Sequence, residues 1–105
     1  MENQYARQRM IKDITVEDSR IQVTAYVKEI LDDNFIILDD KTGEIKVNLK
    51  DVDFAFNKDD LVNVFGFLDI KIDGEKEIEA EIIQDMTNLN FAYYQKIYEI
   101  KKTLI

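Results

Sequence analysis

The sequence predicts an all-β fold with a terminal helix: a five-stranded barrel followed by a C-terminal α-helix. Three observations support this prediction. Apolar and polar residues alternate with a period of two through much of residues 21–85, which is typical of half-buried strands. Turn-forming residues separate these alternating segments. After residue 85 the apolar spacing changes to three and four, which indicates an amphipathic helix.

The first three predicted strands form a meander. In the first strand the inward residues are Ile21, Val23, Ala25 and Val27. A turn at residues 32–34 leads to a second strand, residues 35–38, which is apolar on both faces, so its pattern does not show which face is buried. Gly43 suits the left-handed position of a bulged hairpin, and the third strand follows with Ile45, Val47 and Leu49 inward.

The last two strands follow an irregular segment. Residues 50–60 break the alternation and predict a connecting loop or short helix that plugs one end of the barrel. Residues 61–72 form the fourth strand, in which Gly66 indicates a bend or a close backbone approach. A turn at Asp73-Gly74 leads to the fifth strand, whose inward residues are Ile78, Ala80 and Ile82. A meander, a plug and a closing hairpin together describe an OB-fold barrel.

The C-terminal segment predicts a helix with two apolar stripes. Thr87 is the expected N-cap. One stripe consists of Leu89, Tyr93, Ile97, Ile100 and Leu104, and the adjacent stripe consists of Phe91, Tyr94, Tyr98 and Ile105. The first stripe either caps its own barrel or meets helices of partner chains. We favour partner contact, because a small domain has little surface with which to bury both stripes.

A length of 105 residues fits a single domain. We expect a loosely attached lead-in at residues 1–9, the barrel at residues 10–86 and the helix at residues 87–105. No apolar run approaches the ~20 residues that span a bilayer, and the N-terminus lacks the apolar core of a signal peptide. We therefore expect no membrane partner and a cytosolic protein.

The composition argues against an enzyme. The chain contains no His and no Cys, so the common general bases, nucleophiles and transition-metal ligands are absent. The Asp pairs at residues 32–33 and 39–40 lack the spacing of a calcium-binding loop, and turn formation explains them. We expect no catalysis, cofactor, metal or small-molecule substrate; a carboxylate-only hydrolase is the remaining enzymatic alternative.

The charge is unevenly distributed. The chain carries 14 basic and 22 acidic side chains, a net charge of −8. Residues 21–85 have a net charge of −10, whereas residues 1–20 are neutral and residues 86–105 have a net charge of +2. Proteins that bind nucleic acids usually present a basic stripe to the phosphates. Any binding of a nucleic-acid strand by this chain is therefore expected to be local, weak or shared with a partner.

Four segments carry a resemblance to a known family. They are MIKDI at residues 10–14, RIQVTAYVKEI at 20–30, FIILDDKTGEIKVNL at 35–49 and DLVNVFGFL at 60–68. Together they resemble the OB domains of replication protein A, and a barrel with one C-terminal helix is similar to its smallest subunit. The resemblance implies a non-catalytic subunit of a single-stranded-DNA-binding replication or repair complex. It therefore also implies a location in the cytoplasm, at the nucleoid, of a bacterium or archaeon, or in the nucleus of a eukaryote. It also implies assembly with larger OB-fold subunits through a bundle of C-terminal helices, with Leu89, Tyr93, Ile97, Ile100 and Leu104 as the partner interface.

Candidate nucleic-acid-binding residues lie on the usual ligand face of the barrel, the outward side of the first three strands. They are Tyr26, Lys28, Phe35, Lys46 and Asn48, together with Lys76 in the loop before the last strand. Aromatic rings there would stack on bases and lysines would meet phosphates. Phe35 could instead belong to the core, and Tyr26 could be a cross-strand packing residue. Two alternatives stay open: a self-sufficient single-strand binder, and a protein-interaction OB module of a telomere-cap or repair complex.

Overall fold

The structure is a computed structural model that describes residues 6–50 and 52–104. Its strands are β1 (Arg7–Gln8), β2 (Arg20–Ile30), β3 (Phe35–Asp39), β4 (Glu44–Asn48), β5 (Leu61–Ile70) and β6 (Lys76–Asp85). One turn of 3₁₀ helix, Ile11–Asp13, follows β1, and helix α1 (Phe91–Thr103) follows β6. The five longer strands and the helix are the elements that the sequence predicts.

Strands β2 to β6 close into a barrel in the order β2-β3-β4-β6-β5, because β5 pairs with both β6 and β2. Strand β2 pairs with two neighbours, through residues 20–26 with β5 and through residues 26–30 with β3. The pairing with β3 has a register shift between Val27 and Glu29. Such a shift bends a strand, which lets β2 turn the corner of a small barrel. The closed barrel with one C-terminal helix is an OB-fold, as the sequence predicts.

The alternating residues of the strands build the barrel core. The apolar residues at 0% exposure are Ile21, Val23, Ala25, Val27, Ile36, Leu38, Val47, Val62, Val64 and Ile78. Ile36 and Leu38 identify the buried face of β3, which the sequence pattern alone left open. Phe54 and Phe56, from the segment between β4 and β5, pack against this core. The described part of that segment is therefore a loop that closes the barrel, one of the two forms expected.

One predicted core residue points outward instead. Ile82 is 54% exposed, although the alternation of the last strand predicted it to be buried. The pairing of β5 with β6 shifts by one residue here: Gly66 pairs with Ala80, whereas Phe65 pairs with Ile82. An extra residue in one strand reverses the faces beyond it. Ile83 therefore packs against the core in place of Ile82.

Both ends of the chain also differ from the prediction. Arg7–Gln8 pairs in parallel with Ile21 and Gln22 of β2, so the described part of the lead-in is attached to the sheet; residues 1–5 lie outside the described residues. Helix α1 begins at Phe91, with Asn90 as its N-cap, rather than after Thr87. The Thr87 backbone N–H donates to Asp85 Oδ1 instead, so Thr87 is part of a turn before the helix.

Candidate nucleic-acid and partner interfaces

The outward face of β3 and β4 brings an aromatic ring and a lysine together. Phe35 and Ile37 of β3 pair with Asn48 and Lys46 of β4, and these side chains are half-buried. The Lys46 ammonium lies 4.4 Å from the centre of the Phe35 ring. A ring that can stack on a base next to an ammonium that can meet a phosphate is the chemistry of single-strand binding. Phe35 therefore lies on the outward face, not in the core.

The other predicted lysines are less available. Lys28 donates a hydrogen bond to Glu44, and that bond raises the pKa of Lys28. A phosphate would have to compete with this carboxylate. Lys76 and Lys46 both line a groove of about 320 Å³, together with the carboxylates Glu44 and Glu75. The groove is therefore electrostatically mixed, which favours weak binding of a phosphate.

Two of the predicted residues already have structural contacts. The Tyr26 ring packs edge-on against Phe91 of α1, with 5.1 Å between ring centres, and the Lys41 ammonium lies 5.2 Å from its centre. Asn48 Oδ1 accepts a hydrogen bond from the Lys50 backbone N–H. The structure thus brings together Phe35, Lys46 and Lys76, whereas the Tyr26 ring joins the barrel to the helix.

The loop between β2 and β3 adds negative charge beside this face. Asp32 Oδ1 accepts hydrogen bonds from the backbone N–H groups of Asn34 and Phe35, at 2.7 and 3.1 Å. These bonds form an Asx turn, so Asp32 shapes the loop. Asp32 and the neighbouring Asp33 are both exposed. Their charges oppose the approach of a phosphate backbone along the side of Phe35.

Helix α1 is fixed to the barrel along one face. Tyr94 Oη accepts a hydrogen bond from Gln8 Nε2, and the Gln95 side chain donates to the backbone carbonyl of Asp40, each at 2.7 Å. Tyr98 Oη donates to Asp13 Oδ2, also at 2.7 Å. Lys102 donates to the same carboxylate at 3.0 Å. The stripe that contains Phe91, Tyr94 and Tyr98 is therefore the one that packs on the barrel.

The other stripe of α1 faces away from the barrel. Tyr93 is 62% exposed, Ile100 50% and Leu104 79%. Leu89, just before the helix, and Ile97 are half-buried. The three most exposed residues of the predicted partner interface thus lie on one side of the helix. We refer to Tyr93, Ile97, Ile100 and Leu104 as the outer stripe.

Sequence reasoning missed the residues that orient the helix, namely Gln8, Asp13, Asp40 and Gln95. Their partners lie 55 to 86 residues away along the chain. A local pattern carries no signal for contacts of this range. These contacts decide which stripe is left exposed.

Two kinds of feature are absent from the part of the chain that the structure describes. Within residues 6–50 and 52–104, no three carboxylates lie close enough together to hold a metal ion. In the same residues, no helix has both the length and the apolar character that crossing a membrane requires.

Comparison with known proteins identifies structures of the same fold. No protein-family model and no curated protein sequence matches the chain. The chain is similar to the telomere capping protein Ten1 of S. pombe, with 16% identity, a TM-score of 0.77, and coverage of 94% of this chain and 99% of Ten1. It is similar to a chain of the S. pombe Stn1–Ten1 complex, with 15% identity, a TM-score of 0.78, and coverage of 97% and 96%.

A third similar structure is a replication protein A heterotrimer bound to single-stranded DNA. Here the identity is 15% and the TM-score 0.59, and the alignment covers 82% of this chain and 72% of the other. At such low identities these similarities show the OB-fold alone.

Proposed function

We propose that this protein is a non-catalytic OB-fold subunit of a single-stranded-DNA-binding complex and that it joins partner OB-fold subunits through α1. The observation that carries the proposal is the division of the helix into two faces. One face is tied to the barrel by Tyr94, Gln95 and Tyr98. The opposite face exposes Tyr93, Ile100 and Leu104. Exposed apolar surface on a helix that its own barrel already holds is typical of a protein interface.

Two of the similar structures support a subunit role. One is the Stn1–Ten1 complex, and another is a replication protein A heterotrimer bound to single-stranded DNA. Both are assemblies of several chains. The replication protein A assembly also agrees with the segments that resemble that family. A chain of this fold with an unpaired apolar helix face fits the role of a small subunit in such an assembly.

The charges favour a partner as the main source of DNA affinity. The net charge of residues 21–85 is −10, and Lys28 already bonds to Glu44. The exposed Asp32 and Asp33 lie next to the strand that carries Phe35. Phe35, Lys46 and Lys76 would then add a secondary contact to a strand held by a more basic subunit. A self-sufficient binder would instead bind a single strand tightly as an isolated chain.

A telomere-cap complex is the second candidate. Ten1 and the chain of the Stn1–Ten1 complex align over at least 94% of this chain, whereas the replication protein A structure aligns over 82%. For both candidates we propose the same role for α1, contact with a partner chain. They differ in the DNA: a cap would prefer the single-stranded end of a chromosome, and a replication complex would accept strands of unrelated sequence.

The test removes the outer stripe and measures assembly. The tagged chain is purified from its source cells, the co-purifying chains are identified, and the complex is reconstituted from purified components. We expect Tyr93→Ser/Ile100→Ser to weaken assembly by about 100-fold, because truncating large apolar residues in an interface costs about 1–2 kcal/mol each. The matched control is Phe67→Ser/Ile82→Ser, which removes two exposed apolar side chains from the β5–β6 face.

Fluorescence anisotropy with labelled single strands then compares the complex with the isolated chain. The proposal predicts tight binding by the complex and weak binding by the isolated chain. Unchanged assembly of the Tyr93→Ser/Ile100→Ser variant would exclude the outer stripe as the interface. If the complex did not bind single strands, the function that remained for this chain would be that of a protein-interaction module.

A further inference from the structure

A cleft between β1 and the last turn of α1 concentrates positive charge in this acidic protein. Its volume is about 240 Å³, and it is lined by Arg7, Gln8, Arg9, Tyr98, Lys101 and Lys102. Four of these six residues are cationic, although the chain as a whole has a net charge of −8. We propose that this cleft, the β1–α1 cleft, binds a phosphate group.

Neighbouring acids neutralise only part of this charge. Arg9 bonds to Asp18, with an N–O distance of 3.0 Å, and Lys102 bonds to Asp13 at the same distance. In the described residues, no carboxylate lies within ion-pair distance of Arg7 or Lys101, although the charge of Arg7 also helps to lower the pKa of Asp18. Lys101 and part of the charge of Arg7 are therefore left to attract an anion, and such side chains form charge-assisted bonds with phosphate.

The walls of the cleft are held in place before any ligand binds. Asp18 accepts from Arg9 and also from the Thr15 backbone N–H, which fixes the Arg9 guanidinium. Tyr98 is held by its hydrogen bond to Asp13. Strand β1 is paired with β2. A ligand would therefore have to order little more than the side chains of Arg7 and Lys101, and such preorganisation favours binding.

Stabilisation of the helix explains only part of this arrangement. Lys101 and Lys102 lie in the last turn of α1, where cations interact favourably with the negative end of the helix dipole. That interaction gives no reason for Arg7 and Arg9, which belong to the opposite end of the chain, to line the same cleft. Ion pairs with Asp18 and Asp13 account for Arg9 and Lys102, and phosphate binding accounts for the placement of Arg7 and Lys101 beside them.

The proposal is independent of the proposed function. No residue of the β1–α1 cleft belongs to the outer stripe or to the β3–β4 face that carries Phe35 and Lys46. The phosphate could come from the backbone of a nucleic-acid strand or from free phosphate. Both sources offer the same tetrahedral anion to the cleft, so the experiment must separate them.

The test is an NMR titration of the full chain with inorganic phosphate and, separately, with a short oligothymidylate, at constant ionic strength. We expect saturable shifts of the backbone amides of Arg7, Arg9 and Lys101 and their neighbours. The variant Arg7→Gln/Lys101→Gln should weaken binding by about tenfold, because it removes the two cations without ion pairs. The matched control, Lys50→Gln/Lys58→Gln, removes the same charge from exposed sites elsewhere.

The two ligands distinguish the sources. Saturation by inorganic phosphate identifies the cleft as a site for free phosphate. Saturation by the oligothymidylate alone identifies strand backbone, and the slope of log affinity against log salt should then become shallower by about 1.4 in Arg7→Gln/Lys101→Gln, at ~0.7 per lost contact.

Three outcomes would overturn the proposal. The first is that neither ligand shifts these amides. The second is that the control variant weakens binding as much as Arg7→Gln/Lys101→Gln does. The third is that acetate shifts the amides as strongly as phosphate does. Circular dichroism of the Gln variants verifies that they are folded. The substitutions replace only exposed side chains, so the core is unchanged.

Discussion

At the scale of single residues, Gly66 shows how closely two strands of the barrel approach. A Cβ atom at this position would lie 2.2 Å from the Glu79 carbonyl oxygen and 2.9 Å from Ile78 Cγ2. The first of these atoms is backbone in a paired strand, so it cannot move aside without disturbing the pairing of β5 with β6. Glycine is required at this position because the space beside the Glu79 carbonyl is too small for a Cβ atom.

We therefore expect Gly66→Ala to lower the free energy of unfolding by about 1–3 kcal/mol, the usual cost of forcing extra atoms into a packed site. Urea unfolding followed by circular dichroism measures this change. Gly43→Ala is the control, because Gly43 does not have the left-handed backbone predicted for it, which Lys41 adopts instead at φ 75°. The nearest contact of the added Cβ would be the Ile11 side chain at 3.1 Å, which can shift more easily than backbone. Equal stabilities of the two variants would contradict the steric explanation.

At the scale of elements, the attachment of α1 to the barrel depends on Asp13. Burial raises the pKa of Asp13, but hydrogen bonds from Tyr98 and Lys102 outweigh that effect and lower the pKa below its ordinary value. A carboxyl with a depressed folded pKa stabilises the protein fully above its unfolded pKa, near 3.9, and this contribution is lost as the pH falls through the folded value.

We expect Asp13→Asn to lower the free energy of unfolding at pH 7 by about 1–3 kcal/mol, since the hydrogen bonds from Tyr98 and Lys102 lose their charged acceptor. Below about pH 4, the stability of the variant should also decline less than that of the wild type. Thermal unfolding monitored by tyrosine fluorescence across acidic pH measures both effects. Asp53→Asn, at an exposed site in the loop before β5, should retain the wild-type pH dependence. An unchanged pH profile in Asp13→Asn would exclude Asp13 as the source.

At the scale of the whole molecule, the excess of carboxylates sets the response to salt. Residues 21–85 carry 17 acidic and seven basic side chains. Repulsion between these charges acts over distances longer than the Debye length, whereas contacts such as Arg20 with Glu81, at 2.9 Å, are short. Salt screens the long-range repulsion more completely than the short contacts.

We therefore expect sodium chloride to raise the melting temperature, by about 4–8 °C if the relief of repulsion is worth roughly 1 kcal/mol. Differential scanning calorimetry at neutral pH measures the shift. Chloride is preferable to sulfate, because sulfate stabilises proteins through exclusion from their surface. A melting temperature that falls with salt would mean that the ion pairs outweigh the repulsion.

The sequence by itself determined the five barrel strands, most of their inward residues and the two stripes of the helix. These features depend on periodicity, which is local: a side chain at position i lies on the same face as its neighbours two residues away in a strand, or three and four away in a helix. Ile21, Val23, Ile45 and Val47 follow this rule and are buried.

Only the tertiary structure decided the rest. Ile82 is exposed because the register between two strands shifts, and the Tyr26 ring packs against Phe91, the first residue of α1. The outer stripe is exposed because Gln8 and Asp13 hold the opposite stripe from more than 80 residues away. The charges of the β1–α1 cleft likewise come from the two ends of the chain. Contacts between distant segments depend on how the whole chain closes, and no local pattern encodes that closure.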